Sequence, residues 1–181
     1  YVYVPVGDKL QFDLSNAKTC VSKVGFTQTM EIDVSYNLPS HYDFEQDKRV
    51  GDAKIFCNLK LTLNKNDNIL RVQYKVKNNS EYHRFRIAVD TGIATDRIIV
   101  DVPFCIETHS NKERTLLVNS KTFFNTSFAT LCDNVNGMAL LTQGLHEVER
   151  DGTKLYLTIA RATGVIGHNN GKYFFHNFLL V

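Results

Sequence analysis

Two carboxylates two residues apart, Glu147 and Glu149, follow Gly144 and His146 in this chain. Paired carboxylates are what cleavage of a glycosidic bond needs, one to protonate the leaving oxygen and one to attack or to activate water. In an extended segment both point to the same side, with Cα atoms about 7 Å apart on a rise of about 3.3 Å per residue. Any wet strand face produces the same spacing, so a surface acidic pair is the preferred reading. His41-Tyr42-Asp43 has a His-x-Asp spacing that suits a divalent metal, with Glu45 and Asp47 close by. No second cluster of His and carboxylate is held by a recognisable element, and a solvated loop explains the motif better. His83-Arg84-Phe85-Arg86 places His83, Phe85 and Ile87 on one face of a strand and both arginines on the other. Two arginines on a wet strand are ordinarily a solvated face. They acquire a role if another domain covers them, because guanidinium groups fix carboxylates or sugar hydroxyls with good geometry.

Other chemistry is less well supported. Gly164-Val165-Ile166-Gly167 lacks a phosphate-binding pattern and a following helix, and reads as a bend or bulge leaving a strand. No serine elbow or Cys/His pair stands at a recognisable spacing. Eight Tyr and twelve Phe are available for sugar stacking, but there is no Trp, and most Phe fall on apolar faces. Cys20, Cys57, Cys105 and Cys132 include no CxxC pair and are expected to be buried, reduced thiols, which points to the cytoplasm. The triplets Asn78-Asn79-Ser80 and Asn125-Thr126-Ser127 match the glycosylation pattern, which an Asn-rich chain produces by chance.

The elements that position these residues are strands. Leu70, Val72, Tyr74 and Val76 alternate with Arg71, Gln73 and Lys75, and reversing the faces would bury three long polar side chains. The same alternation runs through Cys57, Leu59, Leu61 and Leu63, and through Phe85, Ile87 and Val89. Further strands are expected at Tyr1 to Val6, Lys9 to Leu14, Gln28 to Val34, Arg97 to Ile106, Met138 to Thr142, Leu155 to Arg161 and Tyr173 to Leu180. Asn64-Lys65-Asn66-Asp67-Asn68 and Asp151-Gly152 are hairpin signals, so neighbouring strands should pair antiparallel. Two polar stretches, His41 to Asp52 and Thr108 to Lys121, read as extended loops or sheet-crossing connections. Many strands without helices predict an all-β, antiparallel two-sheet sandwich, since one open sheet of that size would leave an apolar face wet.

Composition bounds the partners. The 181 residues suit one domain, 43% hydrophobic and 22% charged, with a net charge of +2 from 21 basic and 19 acidic side chains. No basic run is long enough to follow a phosphate backbone, which argues against nucleic acid. No apolar run approaches the roughly 18 residues of a membrane span. The chain starts at Tyr1 within an alternating apolar stretch and stops at Val181 within an apolar run. Residues 1–181 are therefore expected to be a single domain excised from a longer polypeptide.

Three blocks, in order, resemble the C-terminal β-domain region of bacterial-type glycoside hydrolase family 38 α-mannosidases. The first is Leu70 to Asn78 (LRVQYKVKN) with His83-Arg84-Phe85-Arg86-Ile87, similar to an alternating strand ending in Asn and a His-Arg-Leu-Arg strand. The second is Asn136 to Glu149 (NGMALLTQGLHEVE), similar to Gly-x-Ala-Leu-Leu-Asn-x-Gly-Leu-Pro-Glu-Tyr-Glu. The third is Leu155 to Gly164 (LYLTIARATG), similar to Leu-Thr-Leu-Leu-Arg-Ser-x-Gly. The likeness covers about Leu70 to Gly167 and departs at His146, where Pro is frequent, at Val148 for Tyr and at Ala160 for Leu.

The resemblance implies a supersandwich related to galactose-mutarotase-like domains. It also implies a parent enzyme that is a zinc-dependent, retaining exo-α-mannosidase, whose zinc ligands and aspartate nucleophile lie in an N-terminal α/β domain. This chain then carries neither catalytic nor metal-binding residues, and its partners are that catalytic domain and a mannose-containing glycan in a bacterial cytoplasm. His41-Tyr42-Asp43 is not equated with the family's zinc motif, since the Trp expected after it is missing. Arg84, Arg86, Glu147 and Arg161, by their place in the blocks, are the candidates for interdomain or substrate-near contacts. The alternatives are a stand-alone carbohydrate-binding module and a structural β-sandwich.

Overall fold

A computed structural model describes residues 14–110 and 122–162, and the backbone of 177–180. The described residues form fifteen strands and no helix. In chain order they are β1 (Lys18–Val24), β2 (Thr27–Leu38), β3 (His41–Asp43), β4 (Lys48–Val50), β5 (Ala53–Asn64), β6 (Leu70–Lys77), β7 (His83–Asp90), β8 (Arg97–Val102), β9 (Cys105–Ser110), β10 (Thr122–Phe124), β11 (Phe128–Cys132), β12 (Gly137–Leu141), β13 (Glu147–Asp151), β14 (Lys154–Ala162) and β15 (Asn177–Leu180). A nine-stranded sheet runs β1-β2-β5-β6-β15-β12-β11-β8-β9, a four-stranded sheet runs β10-β13-β14-β7, and β3-β4 is a separate ribbon. All pairings are antiparallel, as the short polar turns imply.

The alternating residues set the register. Leu59 stands opposite Tyr74 and Leu61 opposite Val72, so the apolar sets of β5 and β6 share one face. That face meets the four-stranded sheet in three clusters. Ile98, Val100, Ala129, Leu131 and Leu140 pack with Val148 and Leu155. Leu38, Ile55 and Cys57 pack with Phe85, and Val72 packs with Leu145 and Leu157. Each cluster joins residues of both sheets, which is the expected sandwich.

Several details differ from the sequence reading. Arg97 to Ile106 is two strands, because Pro103 has no N–H to donate to a ladder and Phe104 takes φ 78°, turning the chain so that Val102 pairs with Cys105. The His41 to Asp52 stretch, expected as a loop, closes into the β3-β4 ribbon, and β9 occupies the start of the expected Thr108 to Lys121 loop. Strands β1, β10 and β11 were not expected; β1 is exposed along its whole length and so carries no burial alternation. Only Cys57 of the four cysteines is buried; all four are free thiols, with Cys20 and Cys105 exposed because β1 and β9 are the edges of the large sheet. The expected strand Tyr1 to Val6, all of the expected strand Lys9 to Leu14 but Leu14 itself, which is an exposed bend, the first part of Tyr173 to Leu180, and the Gly164 to Gly167 bend lie outside the described residues.

One irregularity positions the site. Along β14, Tyr156 and Thr158 pair with Ala88 and Arg86, and then the register slips so that Ala160 meets Phe85 and Arg161 meets Arg84. Strict alternation would send Arg161 into the core beside Leu155 and Leu157. The bulge at Ile159 inserts one residue and returns Arg161 to the outer face.

Positive φ is inexpensive at Asp47 and Asn66 and at Gly152, whose hairpin requires it. Tyr82 (φ 57°) and Phe104 (φ 78°) are different, since large side chains there cost of order 1–3 kcal/mol. Tyr82 is held by its neighbours: its ring meets Phe44 edge-on at 5.2 Å and its carbonyl accepts a hydrogen bond from Arg49.

Candidate functional site

The outer face of the four-stranded sheet brings together residues that are far apart in sequence. β7 supplies Arg84 and Arg86, β13 supplies Glu147 and Glu149, and β14 supplies Tyr156, Thr158 and Arg161. Their alternate neighbours Phe85, Val148 and Leu157 point into the core. Glu147 receives both Nε (2.9 Å) and Nη2 (2.6 Å) of Arg161, Nη1 of Arg84 (2.9 Å) and the hydroxyl of Thr158 (2.8 Å). Glu149 receives Nη2 of Arg84 at 2.9 Å and Nη1 of Arg86 at 2.7 Å. Arg84 thus bridges the two carboxylates, and the Arg86 guanidinium lies over the Tyr156 ring at 4.7 Å.

All four sequence candidates, Arg84, Arg86, Glu147 and Arg161, therefore belong to one network. The expected wet faces are corrected here: Glu149 is only 9% exposed and Arg86 14%. Three guanidinium groups around two carboxylates explain how these charges stay out of water. Sequence reasoning weighed Glu149 with Glu147 by their spacing and set the two aside as a surface acidic pair; nothing in the sequence singles out Thr158.

Burial raises the Glu147 carboxyl, but the Arg161 and Thr158 hydrogen bonds and the charges of Arg161 and Arg84 outweigh it and hold the group below the ordinary glutamate value. A general acid needs the opposite shift. Both carboxylates are engaged by arginines in one ion network. Because the folded value is depressed, the stability that Glu147 contributes is present above the ordinary value of about 4.3 and is lost as pH falls through the folded value. Glu147→Gln is expected to flatten the acid limb: urea midpoints measured from neutral pH downward should fall less steeply than in the parent below about pH 5. Equal slopes would show that Glu147 is not held ionised by these partners.

Beside the network, Thr122, Phe123, Phe124, His146, Glu147 and Arg161 line a shallow depression of about 400 Å³. The His146 ring stacks on Phe124 with centroids 5.6 Å apart, and its Nδ1 donates to the Asn125 carbonyl at 3.0 Å. Asn125 itself is fully buried and donates through Nδ2 to Thr142 and to the Leu145 carbonyl. A buried, bonded amide is closed to glycan attachment. Asn78 is likewise committed, donating to the Ser80 carbonyl and accepting from the Ser80 amide. In the His41-Tyr42-Asp43 motif, Asp43 caps the turn by accepting the amides of Glu45 (2.9 Å) and Gln46 (3.1 Å), and Tyr42 donates to Asp47. These are turn-forming roles.

Two solved structures share this fold. One is a protein in the glycosyl hydrolase family 38 from Enterococcus faecalis, with a TM-score of 0.72 and 18% identity over 92% of this chain and 22% of that one. The other is an alpha-mannosidase from Enterococcus faecalis V583, with a TM-score of 0.76 and 18% identity over 91% of this chain and 21% of that one. The chain spans about a fifth of the length of these proteins. No protein-family model matches it, and no curated protein matches it.

Proposed function

We propose that the chain is a non-catalytic β-sandwich domain from the C-terminal part of a zinc-dependent, retaining α-mannosidase that hydrolyses terminal α-mannosides. The observation that carries this reading is the shared fold over nine-tenths of the chain with proteins described as family 38 enzymes. It is supported by the three sequence blocks, because each of them contributes to the same ion network: Arg84 and Arg86 from the first, Glu147 and Glu149 from the second, Arg161 from the third.

On this reading, no residue of this chain would hold the zinc, which would reside with the catalytic carboxylates in an N-terminal domain and would supply Lewis-acid chemistry there. The residues of this chain do mechanical work. Crossed Arg–Glu bonds lock β7, β13 and β14 into a stiff, charged face, against which the catalytic domain rests and whose rim stands near the mannose-containing glycan. We place the enzyme in a bacterial cytoplasm.

Alanine in place of each of Arg84, Arg86, Glu147 and Arg161, in the natural polypeptide that carries this chain, tests the assignment. Arg161→Ala is expected to lower both the melting temperature and the turnover of a chromogenic α-mannoside. Four variants with unchanged stability and unchanged turnover would defeat it. A stand-alone carbohydrate-binding role is favoured by one observation, the depression beside Phe124 and His146. Saturable heat on titration with mannosides, in a protein without mannosidase activity, would establish that role instead.

A further inference from the structure

The β8-β9 hairpin ends in Pro103-Phe104, and its geometry is costly for the residue it carries. Pro at the first central position and positive φ at the second form the type II pattern, which favours Gly or Asn at the second position. Phe104 occupies it at φ 78°. The ring receives nothing in return from the described residues: it is fully exposed and makes no ring contact among them. Tyr82, the other bulky residue at positive φ, is held by Phe44 and Arg49. The apolar surface continues along the same hairpin, where Ile106 is 66% exposed on β9, an edge strand of the nine-stranded sheet.

We infer that the Pro103-Phe104 tip is an anchor that inserts into an apolar pocket of the same natural polypeptide, outside residues 1–181. This rests on the proposed function. Structures with this fold extend to about five times the length that this chain spans, so most of such a polypeptide is available to supply the pocket. A tip built from a pre-set Pro and an aromatic ring loses little conformational entropy on docking, because two backbone-fixed residues present one ring with two rotatable bonds. Exposed apolar side chains beside an edge strand are otherwise an aggregation liability, and a docked tip removes it.

A photoreactive benzoylphenylalanine placed at position 104 of the natural polypeptide tests the inference, with the cross-linked peptides identified by mass spectrometry. The expected product is a single intramolecular cross-link from 104 to a peptide outside 1–181. Cross-links confined to residues 1–181, links to a second copy, or no cross-link at all would overturn it. Phe104→Gly supplies an independent reading. Glycine relieves the backbone strain, so an undocked tip predicts a higher melting temperature, whereas an anchor predicts a fall of several degrees. The α-mannosidase assay on the same protein separates the two ideas. Cleavage without an outside cross-link leaves the enzyme reading intact and removes the anchor; an outside cross-link without cleavage does the reverse.

Discussion

Glu149→Ala is expected to destabilise the fold by about 3 kcal/mol, the low end of the cost of breaking a buried ion pair. The side chain is 9% exposed and accepts from Arg84 and Arg86, which are themselves 19% and 14% exposed. Among the described residues, removing it leaves Arg86 with the Tyr156 face and no carboxylate, while Arg84 keeps Glu147 alone, so the loss is dominated by the stranded Arg86 guanidinium. Replacing Glu149, Arg84 and Arg86 together by Leu, Met and Met should cost less than the single alanine, since no stranded charge remains. Urea unfolding followed by circular dichroism measures both. A Glu149→Ala loss under about 1 kcal/mol would mean that the network behaves like a solvated surface pair.

Leu157→Ala is expected to cost about 3 kcal/mol, within the range of 2–5 for leucine truncation in a core. Leu157 is fully buried on β14, opposite Val148 and Ile87, and packs with Val72 of the other sheet and with Leu145. The cavity would open between the sheets, one residue from Thr158 and from the network above it. Leu157→Met, which nearly conserves volume, should cost less than about 1.5 kcal/mol. If alanine and methionine were equally mild, β14 would not be packed as described.

How much of this was legible in the sequence differs between its parts. Strands with one face buried announced themselves: β6 and β7 alternate so cleanly that their buried faces followed from residue types alone, although the two lie in different sheets. Strand β1 did not, because every residue of it is exposed and nothing selects a face. Phe104 concealed a turn inside an apparent single strand, since phenylalanine does not favour positive φ, although Pro103 before it was an available turn signal. The site was half legible. The positions of Arg84, Arg86, Glu147 and Arg161 were marked by the sequence blocks, but their mutual contact was not. That contact depends on the slip after Thr158, which turns Arg161 outward, and a bulge leaves no trace in residue type. Glu147 and Glu149 read as a wet acidic pair because alternation gives the face but not the arginines of β7 and β14 that cover it.

The most direct test of the central claim is to capture the natural polypeptide with an antibody raised against residues 1–181 and to record its mass and its cleavage of a chromogenic α-mannoside with and without a zinc chelator. A polypeptide several times larger than 20.6 kDa, with chelator-sensitive cleavage, is the predicted result. A polypeptide of the chain's own size that leaves α-mannosides intact would contradict it.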